Sequence, residues 1–185
     1  MHAITTLKTR VYPDFDRPAG DATARRGGGG WHNSRVMAQA NTESRPQPQA
    51  RDTYRVFRSI STRWMDNDVY GHVNNVVYYA WFDTAVNAHL IEQGALDPEH
   101  GDTIGLVVET RCNYFAPLSF PQMVEAGIRV ARRGRSSVCY EVGLFAQGAP
   151  LAAAQGHFVH VYVDRRTRRP VALPAKLLSV LETLE

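Results

Sequence analysis

Cysteine is scarce in this chain: Cys112 and Cys139 are the only two in 185 residues. Both lie inside strand-like runs, and their spacing suits neither a disulfide framework nor a zinc site. A reducing compartment, the cytoplasm, is the expected location. Long apolar runs are missing as well. The longest candidate is interrupted by Asp83, Asn87, His89 and Glu92 and falls short of a membrane span. The first residues lack the apolar core of a secretory signal, and the pair Arg25–Arg26 leads into glycines rather than an apolar stretch. Neither export nor a membrane location is expected.

An excess of one charge is missing from most of the chain. The net charge is +3, and residues 1–50 hold seven Lys/Arg against four acidic groups, which accounts for all of it. Residues 51–185 carry fourteen of each sign. The basic excess therefore belongs to the tail, and nucleic acid is not an expected partner. The basic run "DRRTRRP" at 164–170 has no interleaved aromatics and reads as an exposed connection.

What is present divides the chain in two. Residues 1–50, with "RRGGGG" and "NTESRPQPQA", read as a poorly ordered N-terminal extension. Residues 51–185 read as one domain. "TYRVFRSISTRW" (53–64) alternates like a strand. A helix is expected from Asn75 to about Gln93, capped by Asn74 or Asn75 and stopped by Gly94. It is apolar nearly all round, so it must be wrapped on most sides. Four strand-like runs follow, "TIGLVVETRCNYF", "QMVEAGIRVARR", "SSVCYEVGLFAQ" and "PLAAAQGHFVHVYVD", separated by turn chemistry. A short helical segment, 174–184, ends the chain. The layout is α+β: one long buried helix wrapped by a curved five-stranded antiparallel sheet. One sheet covers only one side of a helix, so a homodimer or tetramer is expected.

Between the first strand and the helix lies "RWMDNDVYGHVNN", two carboxylates, a histidine and paired asparagines at the mouth of the most apolar element. Taken singly, Asp66 or Asp68 serves to cap a turn and Asn74 or Asn75 to cap the helix. Taken together, "DNDVYGHVNNVVYYAWFD" resembles the signature of hot-dog-fold acyl thioesterases of the 4-hydroxybenzoyl-CoA thioesterase-like family. "FPQMVEAGIRVARRGRSSVCYEVGLF" is similar to the paired central strands of bacterial acyl-CoA thioesterases. The resemblance covers about 55–163 and implies a long helix wrapped by a sheet, with subunits paired sheet to sheet.

By position, the resemblance implies that Asp68 is the catalytic carboxylate, general base or nucleophile, and that Asp66 is structural. It groups His72 with the site, orienting the aspartate or touching the thioester, or else packing against a partner subunit. The first helical turn, near the Asn75 N–H, is the expected oxyanion donor. Glu109 and Asn113 on the first strand after the helix are candidate pocket residues. Arg132, Arg133 and Arg135 around a hairpin turn are candidate contacts for the phosphates of coenzyme A. Tyr78, Tyr79 and Trp81 are candidate pocket walls. His157 and His160 stand three apart on a strand, point to opposite faces and cannot share a metal. No metal and no cofactor are implied. The expected activity is hydrolysis of an acyl-CoA thioester to free acid and CoA. The alternatives are an acyl-carrier-protein thioesterase and a non-catalytic hot-dog acyl-binding protein. Tyr70 stands where the plant carrier-protein enzymes have asparagine, and Val69-Tyr70-Gly71 where the 4-hydroxybenzoyl branch has Pro-Ala-Gly. Neither branch's substrate preference carries over.

Overall fold

The computed structural model describes residues 45–185 and the backbone of a short strand, β1 (Leu7–Thr9). The extension expected over residues 1–50 therefore lies mostly outside the described residues. Its last residues join the domain: the Ala152 N–H donates to the Gln49 carbonyl (3.0 Å) and the Arg51 N–H to Pro150 (2.9 Å).

The elements follow in the expected order: β2 (Val56–Ser61), α1 (Asn75–Glu92), β3 (Thr103–Tyr114), β4 (Met123–Arg133), β5 (Ser137–Ala146), β6 (Ala154–Asp164) and α2 (Ala175–Glu182). Strands β2 to β6 form the antiparallel sheet, ordered β3-β6-β5-β4-β2, and β1 adds a parallel strand at the β3 edge. The β1 pairing was not expected from the sequence. Among the described residues no helix is long and apolar enough to cross a membrane.

Helix α1 begins where it does because Asn74 is its N-cap. The Asn74 side chain accepts the Val76 N–H (3.1 Å) and its carbonyl accepts the Val77 N–H (3.0 Å). At the other end the Gly94 N–H returns to the Ile91 carbonyl (2.8 Å). The helix buries Tyr78, Trp81, Phe82, Ala85, Val86, His89 and Leu90, a single stripe at helical spacing. That is narrower than the all-round wrapping expected from composition: Val76 and Ile91 are exposed. The stripe packs on the inward residues of the sheet, among them Cys112, Ala126, Ile128, Val142, Leu144 and Phe158. Phe82 lies against Gly156, where a Cβ would come within 2.7 Å of its ring. Leu177, Leu181 and Leu184, at and just beyond α2, close the far end of the same core.

Period-two alternation separates the two histidines of β6. His157 faces away from the helix, its Nδ1 3.3 Å from the Cys139 sulfur. His160 faces the core among the rings of Phe158, Tyr140 and Tyr162 (centroids 4.5, 5.4 and 6.1 Å). It is 1% exposed, and neither ring nitrogen has a hydrogen-bond partner among the described residues. Burial alone pushes its pKa down to about 4, from an ordinary value of 6.5. The folded protein thus refuses a proton that the unfolded chain accepts. Stability is unaffected above the unfolded value and is lost as pH falls from about 6.5 towards about 4. Between roughly pH 7.5 and pH 5 the loss is about 2 kcal/mol. Urea unfolding of wild type and His160→Leu at both pH values should show that extra acid sensitivity in the wild type only. Equal pH dependence in the two proteins would exclude His160 as its source.

Candidate active site

The chain leaves β2 and is pinned at once. Thr62 Oγ1 donates to the Gln122 carbonyl (2.7 Å), and a single turn of 3-10 helix, Trp64–Asp66, follows. Asp66 is 1% exposed. Its carboxylate accepts the Arg63 backbone N–H (2.7 Å), Nε (3.0 Å) and Nη2 (2.8 Å), while its backbone carbonyl accepts the Asn74 N–H (2.8 Å). This carboxylate is consumed by Arg63 at the start of the loop, while the Asp66 carbonyl ties the loop to the helix cap. The expectation that Asp66 is structural has this geometry behind it.

Beyond Asp66 the chain makes a small hairpin. Asn67 and Val73 form an isolated antiparallel bridge at its base. Asn67 Oδ1 accepts the Phe120 N–H (3.0 Å), and the Val73 N–H donates to the Leu118 carbonyl (2.7 Å), so the base is riveted to the β3–β4 connection. Within the hairpin the Asp68 N–H donates to His72 (2.8 Å) and the Gly71 N–H to Asp68 (3.1 Å). Gly71 has φ +80°, the left-handed region in which a side chain is strained.

Asp68 is half-buried at the foot of this turn. Its Oδ1 accepts the Tyr70 N–H (2.8 Å), and Oδ2 meets no protein donor among the described residues. Of the first N–H groups of α1, those of Val76 and Val77 are taken by Asn74, and that of Asn75 meets no acceptor among the described residues. Among the described residues the segment thus leaves one Asp68 oxygen and the first N–H of α1 without a protein partner. His72 is exposed on the same turn.

The floor beneath is aromatic. Tyr78 meets Tyr114 edge-on (5.0 Å) and Trp81 at a tilt (5.5 Å). The Tyr114 hydroxyl donates to the Asn75 carbonyl (3.2 Å). Burial pushes the Tyr78 phenol up to about 12; the Leu118 backbone works against that, and the nearby Cys112 and Asp68 add to it. Burial also raises the Cys112 thiol to about 12 and drives the Tyr114 phenol higher still, with Cys112 and Tyr79 contributing. Of the three aromatics named from the sequence, Tyr78 and Trp81 lie here and half-buried Tyr79 meets Phe82 edge-on (6.0 Å); Tyr114 was missed, its signal being its in-phase position after Cys112.

The other expected residues do not converge on Asp68 within one subunit. Glu109 lies five residues before Tyr114 on β3, about 16 Å back along the strand. It pairs with Arg111 (2.7 Å) and alternates with buried Thr110, so it faces away from the helix. Asn113 shares its phase. Arg132, Arg133 and Arg135 sit at or beyond the end of β4, some 30 Å along the strand from Met123, beside which the loop is anchored. Arg133 is engaged by Glu182 (3.6 Å) and Glu185 (3.3 Å). As phosphate contacts for the Asp68 of their own chain, these arginines are misplaced. The linear sequence put them near the family motif without giving the strand's direction.

Because Asp66 holds the loop rather than the substrate, Asp66→Ala should act through structure. We expect the melting temperature to fall by about 5 °C or more. Activity should drop at least about tenfold as Asp68 loses its position. Thermal unfolding measured alongside turnover checks both; an unchanged melting temperature would contradict the anchoring role.

Comparison with known proteins bears on the fold and the family. The family model described as Thioesterase superfamily matches residues 70–153. The crystal structure of the PA5185 protein from Pseudomonas aeruginosa strain PAO1 is 57% identical, covering 75% of this chain and 97% of that one, with a TM-score of 0.73. The PA2801 protein of Pseudomonas aeruginosa, proposed as a thioesterase, is 27% identical over 69% of this chain and 98% of its own, with a TM-score of 0.63. The DHNA-CoA thioesterase of Staphylococcus aureus, 22% identical over 69% and 86% of the two chains, shares the fold with a TM-score of 0.60. With the hot-dog architecture and the loop-to-helix site already in place, these similarities identify the chain as a member of the thioesterase superfamily and a thioester hydrolase.

Proposed function

We propose that the protein is an acyl-CoA thioesterase in which Asp68 supplies the attacking oxygen, directly or through water, and the start of α1 receives the charge. The observation that carries this reading is that one short segment leaves both Asp68 Oδ2 and the Asn75 N–H without a protein partner among the described residues. As general base, Asp68 takes a proton from water while the water oxygen bonds to the thioester carbonyl carbon. As nucleophile, its own oxygen forms that bond, and water later releases the acid. In both routes the carbonyl oxygen becomes negative and is met by the Asn75 N–H and the helix dipole. The C–S bond then breaks, and the departing thiolate takes up a proton. In the general-base route this is the proton Asp68 took from water, which restores the carboxylate; in the nucleophile route it comes from solvent. His72, exposed on the same turn, would orient the aspartate or touch the thioester. The reaction needs water and no resident cofactor. A coenzyme A thioester agrees with the cytoplasmic location expected from the sequence.

We infer further that the working unit is a homo-oligomer, with the loop of one copy covered by another. Three apolar side chains of the loop stand almost free, Val69 at 93%, Tyr70 at 82% and Trp64 at 81% exposure, and Met65 and Val76 extend the patch. A patch of this kind around a reaction site favours burial against a second subunit. Glu109 and the three arginines would serve a site only across such an interface.

Free-thiol release from acyl-CoA substrates, measured for wild type and Asp68→Asn at equal oligomeric state, tests the assignment. Loss of the carboxylate should lower kcat by about 100-fold or more. Equal turnover would remove Asp68 from the chemistry, and no turnover on any thioester would sink the enzymatic reading.

A further inference from the structure

We propose, on the basis of the thioesterase reading, that Asn67 is a positioning residue for Asp68: its side-chain amide clamps the base of the hairpin to the β3–β4 connection and so decides where the carboxylate stands. The bonds inside the hairpin set its shape only. The Asp68 N–H donates to the His72 carbonyl (2.8 Å), the Gly71 N–H to the Asp68 carbonyl (3.1 Å), and the Tyr70 N–H to Asp68 Oδ1 (2.8 Å). All three begin and end within 68–72, and a hairpin held by them alone could still swing as a unit.

What stops the swing lies at the base. Asn67 and Val73 face each other across an isolated antiparallel bridge. The Val73 N–H donates to the Leu118 carbonyl (2.7 Å), and two residues further along the same connection the Phe120 N–H donates to Asn67 Oδ1 (3.0 Å). The Asn67 oxygen does here what a strand carbonyl does in a sheet. Its amide nitrogen, Nδ2, donates across the hairpin to the Gly71 carbonyl (3.4 Å). A backbone N–H can only donate and a carbonyl can only accept, so both contacts demand the same orientation of the amide. Among the described residues, Asn67 is the one side chain of 67–73 with a hydrogen bond to a partner outside that segment. It is also the residue covalently next to Asp68. An aspartate there would offer the oxygen but no donor for Gly71, and would set three carboxylates in a row; an alanine offers neither contact. The clamp is made within one chain, so a second subunit lying over Trp64, Val69 and Tyr70 would cover it without supplying any part of it.

The test is a double-mutant cycle on the full chain: wild type, Asn67→Ala, Asp68→Asn and the two combined. The substrate is the best of acetyl-, octanoyl-, palmitoyl- and benzoyl-CoA, and kcat and KM are read at equal oligomeric state, below the melting temperature of every variant. Misplacing a catalytic group by about 1 Å costs about 100-fold, so Asn67→Ala should lower kcat at least about tenfold. KM should stay within about threefold, because the change removes no substrate contact. In the Asp68→Asn background there is no carboxylate left to place, and the same change should lower kcat by less than about twofold. A residue that only stabilises the fold would lower the melting temperature and leave kcat at the wild-type value. One acting independently of Asp68 would lower kcat equally in both backgrounds. Either result overturns the positioning role while leaving Asp68 in the chemistry. If the alanine variant does not fold, Asn67→Ser, whose hydroxyl is too short to span both partners, takes its place in the cycle. Full activity of Asp68→Asn, or no turnover of any ester by wild type, overturns the positioning role together with the reading it rests on.

Discussion

Everything at the candidate site depends on how closely α1 can lie on the sheet, and that closeness is set by Phe82 against Gly156. A Cβ at Gly156 would sit 2.7 Å from the ring, so any larger residue would push the helix outward. With the helix seated, Trp81 and Tyr78 fall in turn onto the inward face of the sheet, and the Tyr114 hydroxyl comes within reach of the Asn75 carbonyl. The position of the helix N-terminus above β3 thus follows from packing two turns away. The geometry of the candidate site is a by-product of a hydrophobic contact, and the loop only has to meet a helix end that is already fixed.

The loop meets it by giving two similar carboxylates opposite tasks. Asp66 is buried and accepts three hydrogen bonds from Arg63, while its carbonyl holds Asn74. Asn74, so held, caps the helix and uses up the Val76 and Val77 N–H groups. What remains uncapped is the N–H of Asn75, and what remains unbonded is one oxygen of Asp68. The polar crowding of "RWMDNDVYGHVNN" is therefore two layers: an inner set that satisfies itself and an outer pair left over. A loop built of Gly, Ser and Pro could turn the chain, but it could not leave a carboxylate and an N–H jointly unsatisfied in one fixed place.

How much of this was legible differs by element. The helix was readable almost to the residue, because the Asn74 cap and Gly94 stop are local chemistry. The opposite facing of His157 and His160 followed from the period of a strand alone. The breadth of the buried helix face did not, since composition shows that Val76 and Ile91 are apolar but not that this subunit leaves them open. Strand register was also hidden. Glu109 is close in sequence to Tyr114, yet it alternates to the other face and pairs with Arg111. The arginines follow a motif-bearing strand but lie at its far end, with Arg132 opposite Cys139. Non-local pairing decides these positions, and a linear reading cannot supply it. The loop's chemistry, including different tasks for Asp66 and Asp68, was legible only through its family resemblance, while the bonds by which Asp66 is held, three from Arg63 and one accepted by its carbonyl from Asn74, are not readable from the sequence.

A carboxylate beside a developing oxyanion looks at first self-defeating, since two negative charges would repel strongly over a poorly polar floor. The floor here is neutral: burial holds Tyr78, Tyr114 and Cys112 in their protonated forms. The resolution is that the site never has to hold both charges. As base, Asp68 becomes neutral when it takes the proton of water, and as nucleophile it spends its charge in forming the new bond. In either case, on the proposed reading, the single negative charge would move from Asp68 to the carbonyl oxygen and towards the Asn75 N–H. The dipole of α1 would stabilise the charge at the carbonyl oxygen, and a neutral aromatic floor would make that dipole count for more than it would in water. On the proposed reading, the aromatic packing that keeps the floor neutral is what would let a lone helix end and one carboxylate suffice.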